Sequence, residues 1–205
     1  MNDVCAFFVQ ELILSMMNFN QHLEKLRQEV ISISDLIKED FLPMTESQLN
    51  FRAGKDQWSV FECIEHLNRY YRFYNPEIRN AIAIAEPKSN EVTVTSTWIG
   101  RLSIRMMHPD NRKKKKTFKH MNPIHVQLSA TTIHEFLQHQ QEFLLLLEQA
   151  TGVDLNAKLV KVEFMKLLRM NIAESLEFVV IHIKRHIFQA EGVSQGIPTN
   201  SILVL

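Results

Sequence analysis

Five glycines in 205 residues leave this backbone few places to turn tightly. Average usage of about 7% would give roughly 14. Dinucleotide-binding folds, P-loops and turn-rich β-sandwiches all need glycine at fixed positions, and neither GxGxxG nor GxxxxGK occurs here. With 45% apolar and 22% charged residues the chain has the composition of a globular protein. Its length fits one domain. The remaining class is a domain of long helices with few tight turns. The 23 basic and 23 acidic side chains cancel, which argues against a nucleic-acid partner held by bulk positive charge.

Apolar periodicity predicts four long helices and an all-α four-helix bundle. The first runs from Asn20 to Asp40, with Leu23, Leu26, Val30, Ile33 and Ile37 at three- and four-residue steps, and Pro43 closes it. The second runs from Ser59 to Ala85, bounded by Pro87. The third starts at Thr132 with Glu135 completing a capping box, and ends before Gly152. The fourth starts at Asn171 with Glu174 in the same relation, and stops before Gly192. A long connection, residues 86–130, separates helices two and three. It is expected to hold a short helix over Thr95 to Met107, then the basic run Arg112 to Lys116 and Lys119. A connection of that length can cross the whole bundle, so helices two and three need not be antiparallel neighbours.

The bundle is thus expected over residues 20–192, with a helical extension at 1–19 and a tail at 193–205. Asp3 stands where a signal peptide would carry positive charge, and Gln10 and Glu11 interrupt the apolar run. No apolar stretch approaches the roughly 20 residues of a membrane span, so no membrane partner is expected. Cys5 and Cys63 are too few for a secreted disulfide scaffold, which points to a reducing, cytoplasmic setting.

Nine histidines remain to be explained. His182 and His186 are spaced i, i+4 on the fourth helix, one turn apart on one face. At about 100° per residue, the direction between them lies opposite Lys184, so both should point inward with Ser175, Phe178, Val179 and Gln189. On the second helix, Asn68 and Arg72 mark a wet side, and His66, Cys63, Tyr70 and Phe73 fall opposite. Three imidazoles therefore converge on an interior, where a shared divalent cation would satisfy them all. Histidine-only coordination suits zinc, copper, nickel or iron. Unpartnered interior histidines are the competing reading. His134, Glu135 and His139 imitate a zincin motif, but an i, i+5 spacing puts the second ring about 140° round the helix. His22, His108, His120 and His125 have no usable spacing and are assigned surface or loop roles.

These residues fall into a known pattern. The stretch QLNFRAGKDQWSVFECIEHLNRYYRFY (Gln48 to Tyr74) resembles the second-helix region of the DinB-like superfamily, in which a WS pair opens the helix and an EHLN segment carries its histidine. HIKRHIFQ (His182 to Gln189) is similar to the family's closing H-x-x-R-H-x-x-Q, and TWIGR with the lysine run resembles its long crossover. The resemblance implies an up-down-down-up order and a metal, zinc first with nickel, iron or manganese as alternatives, held by His66, His182 and His186. It also implies a transferase that activates a low-molecular-weight thiol cosubstrate for attack on a small-molecule electrophile. Phe51 to Gly54 depart from the family's tryptophan and proline before the WS pair, so the pocket rim is expected to differ.

Several roles follow as expectations. Gln189 is a candidate group behind the ligands, and Glu62, one turn before His66, a candidate base set against a plain helix-surface carboxylate. Cys63 reads as a small buried side chain. The fourth helix is apolar nearly all round, with Ile181 and Phe188 beside its wet stripe, which suggests cover on two sides and a homodimer. A metal-dependent hydrolase, and a metal-binding or stress protein without turnover, are the competing functions. An anion or nucleic-acid binder using Arg101, Arg105 and the lysine run is set against a merely solvated loop.

Overall fold

Leu23, Leu26, Val30 and Ile33 form the buried stripe of the first helix, α1 (Phe19–Leu36), in the computed structural model, which describes residues 19–88, 94–111 and 117–198. The helix widens into a π-helical turn, Ile37–Phe41, that buries Ile37 and Phe41 and stops two residues before Pro43. A short helix α2 (Glu46–Leu49) leads to α3 (Val60–Ile84), which opens on a reciprocal capping box between Ser59 and Glu62 and runs through an exposed Pro76. The crossover helix α4 (Trp98–Met107) follows, then α5 (Thr131–Gln149) and α6 (Ile172–Ser194). The expected extension up to residue 18 and the basic run Arg112 to Lys116 lie outside the described residues, as do residues 199–205 of the tail.

Side-chain pairings fix the helix directions. His22 with Ala173 and Glu29 with Lys184 rise together, so α1 and α6 run parallel. Asn68 with Thr132, Arg72 with Glu135 and Arg79 with Glu142 also rise together, so α3 and α5 run parallel. His66 meets His182 whereas Tyr74 meets Phe178, so α3 and α6 run antiparallel. The four long helices therefore go up, down, down, up. Two parallel neighbours need a connection that travels the bundle length, and residues between α3 and α5 provide it.

The crossover is locked to α6 at one point. Thr97 caps α4, and its hydroxyl donates to Glu174 Oε2 at 2.8 Å, while its N–H donates to the other oxygen. Asn171 caps α6 in a capping box with Glu174, and its Nδ2 donates to the Thr95 carbonyl at 2.7 Å. One buried carboxylate thus serves two helix N-termini. Burial raises the Glu174 pKa, and the bonds from Thr97 oppose that rise. Gly100 lies against the same carboxylate, where any Cβ would overlap it.

Several expectations are corrected. α5 begins at Thr131 with Ala130 as its cap residue and no capping box, because Glu135 is drawn instead to Arg72 and His139. α6 continues through Gly192 to Ser194; none of the glycines has a positive φ, and a glycine in helical conformation ends nothing. Asn68 is buried, not wet, because α5 covers that side of α3 and takes its Nδ2 on the Thr132 carbonyl at 3.0 Å. His22 is buried, not on the surface, and burial pulls its imidazole down to about 4. A small antiparallel hairpin, β1 (Val160–Val162) with β2 (Met165–Met170), was not anticipated; its buried Val160 and Val162 alternate with a half-buried Lys161. The apolar girth of α6 is accounted for within the chain, since α1, α3 and α4 all pack on it. Phe188 nevertheless remains 67% exposed.

Candidate metal centre

α3 and α6 face each other along an aromatic ladder. Phe178, Tyr74 and Tyr70 stack below the histidines, with Tyr70 4.1 Å from the His182 ring and 4.9 Å from the His66 ring, centroid to centroid. Trp58, just before the Ser59 cap, closes the other side at 4.8 Å from His66 and 5.6 Å from His186. Within this shell His66, His182 and His186 come together, all buried, each offering a nitrogen within 4.8 Å of the others. The three side chains that helical spacing directs inward are thus buried and close together.

The second nitrogen of each ring decides whether the set suits a cation. His66 Nδ1 lies 2.7 Å from the Met121 carbonyl oxygen, which can only accept. Nδ1 therefore carries the proton and Nε2 presents its lone pair inward. His186 Nδ1 lies 3.1 Å from Gln189 Oε1, and with the amide in this orientation its Nε2 is the nitrogen left to face inward. His66 Nε2 and His182 Nε2 are 3.3 Å apart. Two ligands at about 2.0–2.1 Å from a tetrahedral zinc stand about 3.3 Å from each other. The His66–His182 pair already stands at that separation, and the three residues together could hold a divalent cation.

Electrostatics agree with that fit. Burial pulls His66 down to about 4, opposed by its bond to Met121. Burial, followed by mutual repulsion among the rings, holds His182 and His186 well below the usual histidine range. Neutral imidazole is the form that ligates. Aromatic walls keep the surroundings low in dielectric, which strengthens any charge held inside.

The other candidates separate clearly. Gln189 is exposed yet bonded to His186, behind the ligand. Glu62 is 1% exposed, so it is no helix-surface carboxylate. Its oxygens accept from Arg52 Nε at 2.9 Å and Nη2 at 2.5 Å, from Ser59 N at 2.9 Å and from His125 N at 3.0 Å. Cys63 is fully buried in the core, and burial pushes its thiol pKa up. His139 sits between Glu135 and Glu142 on the far side of Tyr71, away from the centre. His108 and His125 lie at a helix end and in a loop. Arg101 Nη1 donates to the Ser96 carbonyl at 2.8 Å.

Two features had no sequence signal. A 3₁₀ turn, Lys119–Met121, follows the crossover and brings the Met121 carbonyl to His66. The same turn carries His120, whose Nε2 is 2.5 Å from Glu163 Oε1 at the hairpin tip, leaving the other buried oxygen of Glu163 without a partner among the described residues. A backbone carbonyl leaves no mark in side-chain spacing, and His120 meets Glu163 across 43 positions of sequence, so neither partnership could be read in advance.

The fold and site together define an α-helical bundle with a buried three-histidine cluster that could hold a divalent metal. The sequence profile of the DinB superfamily matches residues 22–190, and the chain belongs to that superfamily. Searches of curated proteins and of solved structures each found no match. Among the described residues, no helix is long and apolar enough to cross a membrane.

Proposed function

We propose that this chain binds a divalent cation, zinc first, through His66, His182 and His186, and uses it to activate a low-molecular-weight thiol against small electrophiles. The observation that carries the reading is the convergence of three neutral imidazoles, two of which have their outer nitrogens engaged, His66 by the Met121 carbonyl and His186 by Gln189. A cation held by three neutral ligands keeps most of its charge and supplies Lewis acidity, enough to deprotonate a coordinated thiol. The chain's own residues do the rest. Met121 holds His66 in the ligating tautomer, Gln189 bonds the outer nitrogen of His186, and Trp58 and Tyr70 pack against the rings.

Neither nearby carboxylate is free to act as a base, so the nucleophile would have to be supplied by the cation itself, which can deprotonate either a coordinated water or a coordinated thiol. Glu62 is saturated by Arg52, Ser59 and His125, and Glu65 is held by Arg69 and Arg72. The resemblance to thiol-dependent transferases is what favours the thiol. In the transfer, a sulfur–carbon bond forms as a carbon–halogen bond breaks and halide leaves, or as an epoxide opens and its oxygen takes a proton.

The test is adduct formation, followed by mass spectrometry, between a panel of thiols (cysteine, glutathione, bacillithiol, mycothiol) and an aryl halide or epoxide. Metal-loaded protein should turn over at least one pair, and both chelation and His182→Ala should abolish it. Thiol-independent cleavage of esters or amides would transfer the case to a hydrolase. Full metal loading with neither reaction would make this a metal-binding protein without turnover.

A further inference from the structure

α3 carries both a ligand and an arm that reaches the ligand's partner. Three residues after His66, Arg69 extends across the 3₁₀ turn with its side chain 22% exposed. Its Nη1 donates to the His120 carbonyl at 3.0 Å and to the Asn122 carbonyl at 3.1 Å. Those two carbonyls flank the Met121 carbonyl that accepts the His66 proton. Arg69 is itself oriented, since its Nε donates to Glu65 Oε1 at 3.0 Å and Glu65 is also gripped by Arg72. Trp58 Nε1 also donates to Asn122 Oδ1 at 3.1 Å, and the Ile124 N–H donates to the same oxygen at 3.2 Å.

A turn of three residues has little internal hydrogen bonding to hold one carbonyl at a fixed angle. Here the angle matters, because the acceptor on one imidazole nitrogen sets which nitrogen is left for the cation. If the turn rotates, His66 can shift its proton to Nε2, and the inward lone pair is lost. We propose that Arg69 is a positioning residue of the metal centre. It clamps the carbonyls on both sides of Met121 and thereby keeps His66 in the tautomer that ligates. The inference rests on the three-histidine reading.

The test compares parent and Arg69→Met, which keeps the stem and removes the guanidinium. Zinc affinity is read by competition with a chromogenic chelator. The tautomers of the three histidines are read by long-range nitrogen–proton NMR on metal-free protein. The expected results are a 10- to 100-fold loss of affinity and a His66 signal that changes from one Nδ1-protonated form to a mixture, with His182 and His186 unchanged. An affinity within about twofold of the parent would overturn the proposal, on the scale of that expected loss. So would a lower affinity with the His66 tautomer intact, which would mark Arg69 as a loop anchor alone. If the parent takes up no zinc, the three-histidine reading fails and the tautomer result alone decides the role of Arg69. Should Arg69→Met not fold, Arg69→Lys, which keeps the charge but loses the Nε bond to Glu65, is read in the same way.

Discussion

Glu62→Gln is expected to destabilise the protein by about 2–3 kcal/mol, with little direct effect on chemistry at the histidines. The carboxylate is 1% exposed and accepts four hydrogen bonds, two of them from one guanidinium. An amide in its place turns an N–H₂ toward donors and leaves the Arg52 charge uncompensated. Breaking one side of a buried ion pair costs about 3–5 kcal/mol. The Arg52 side chain is 30% exposed, so water recovers part of that, and the lower figure applies. Urea unfolding at fixed pH measures it. Unchanged stability combined with a collapse in turnover would mean that Glu62 is a base after all, and that its four bonds are not its purpose.

Gly100→Ala separates two opposed effects whose signs differ. Helix propensity alone predicts that alanine stabilises this first-turn glycine, by no more than the interior-position gain of about 0.5–1 kcal/mol. Here the new Cβ would overlap the Glu174 carboxylate, which is buried and bonded to Thr97 and to the Asn171 N–H. To make room, that carboxylate must give up bonds that cap two helices. Overpacking of this kind costs about 1–3 kcal/mol, and losing a cap about 1 more. The net expectation is a loss of about 2 kcal/mol. Thermal unfolding checks it, and a variant more stable than the parent would show that α4 can lift from α6 without penalty.

The helices were legible because their apolar residues repeat at helical spacing and their ends carry local chemistry. Asn171 and Glu174 could be recognised as a capping box because both partners lie within one turn. The same pattern misled at Glu135, where Arg72 on a neighbouring helix outcompetes the local backbone. The inward faces of the histidine helices were legible too, although for α3 the reasoning was only half sound. Arg72 is exposed as expected, but Asn68 faces α5 and is buried, because a helix with two long neighbours hides more than one face. What escaped is what depends on distant backbone. Met121 reaches His66 across 55 positions of sequence, and Glu62 receives its partners from two separate loops. Such contacts are set by how the crossover returns over the bundle, and side-chain patterns carry no record of that path.

Histidine geometry carries the account, so metal content is its most direct test. The protein is purified without added metal or chelator beside His186→Ala, both are checked for helical content by circular dichroism, and bound metal is counted by elemental mass spectrometry. The account predicts about one divalent ion per chain in the parent, with zinc foremost, and its loss from the folded variant. A parent without metal, or stoichiometric metal that survives in His186→Ala, would contradict it.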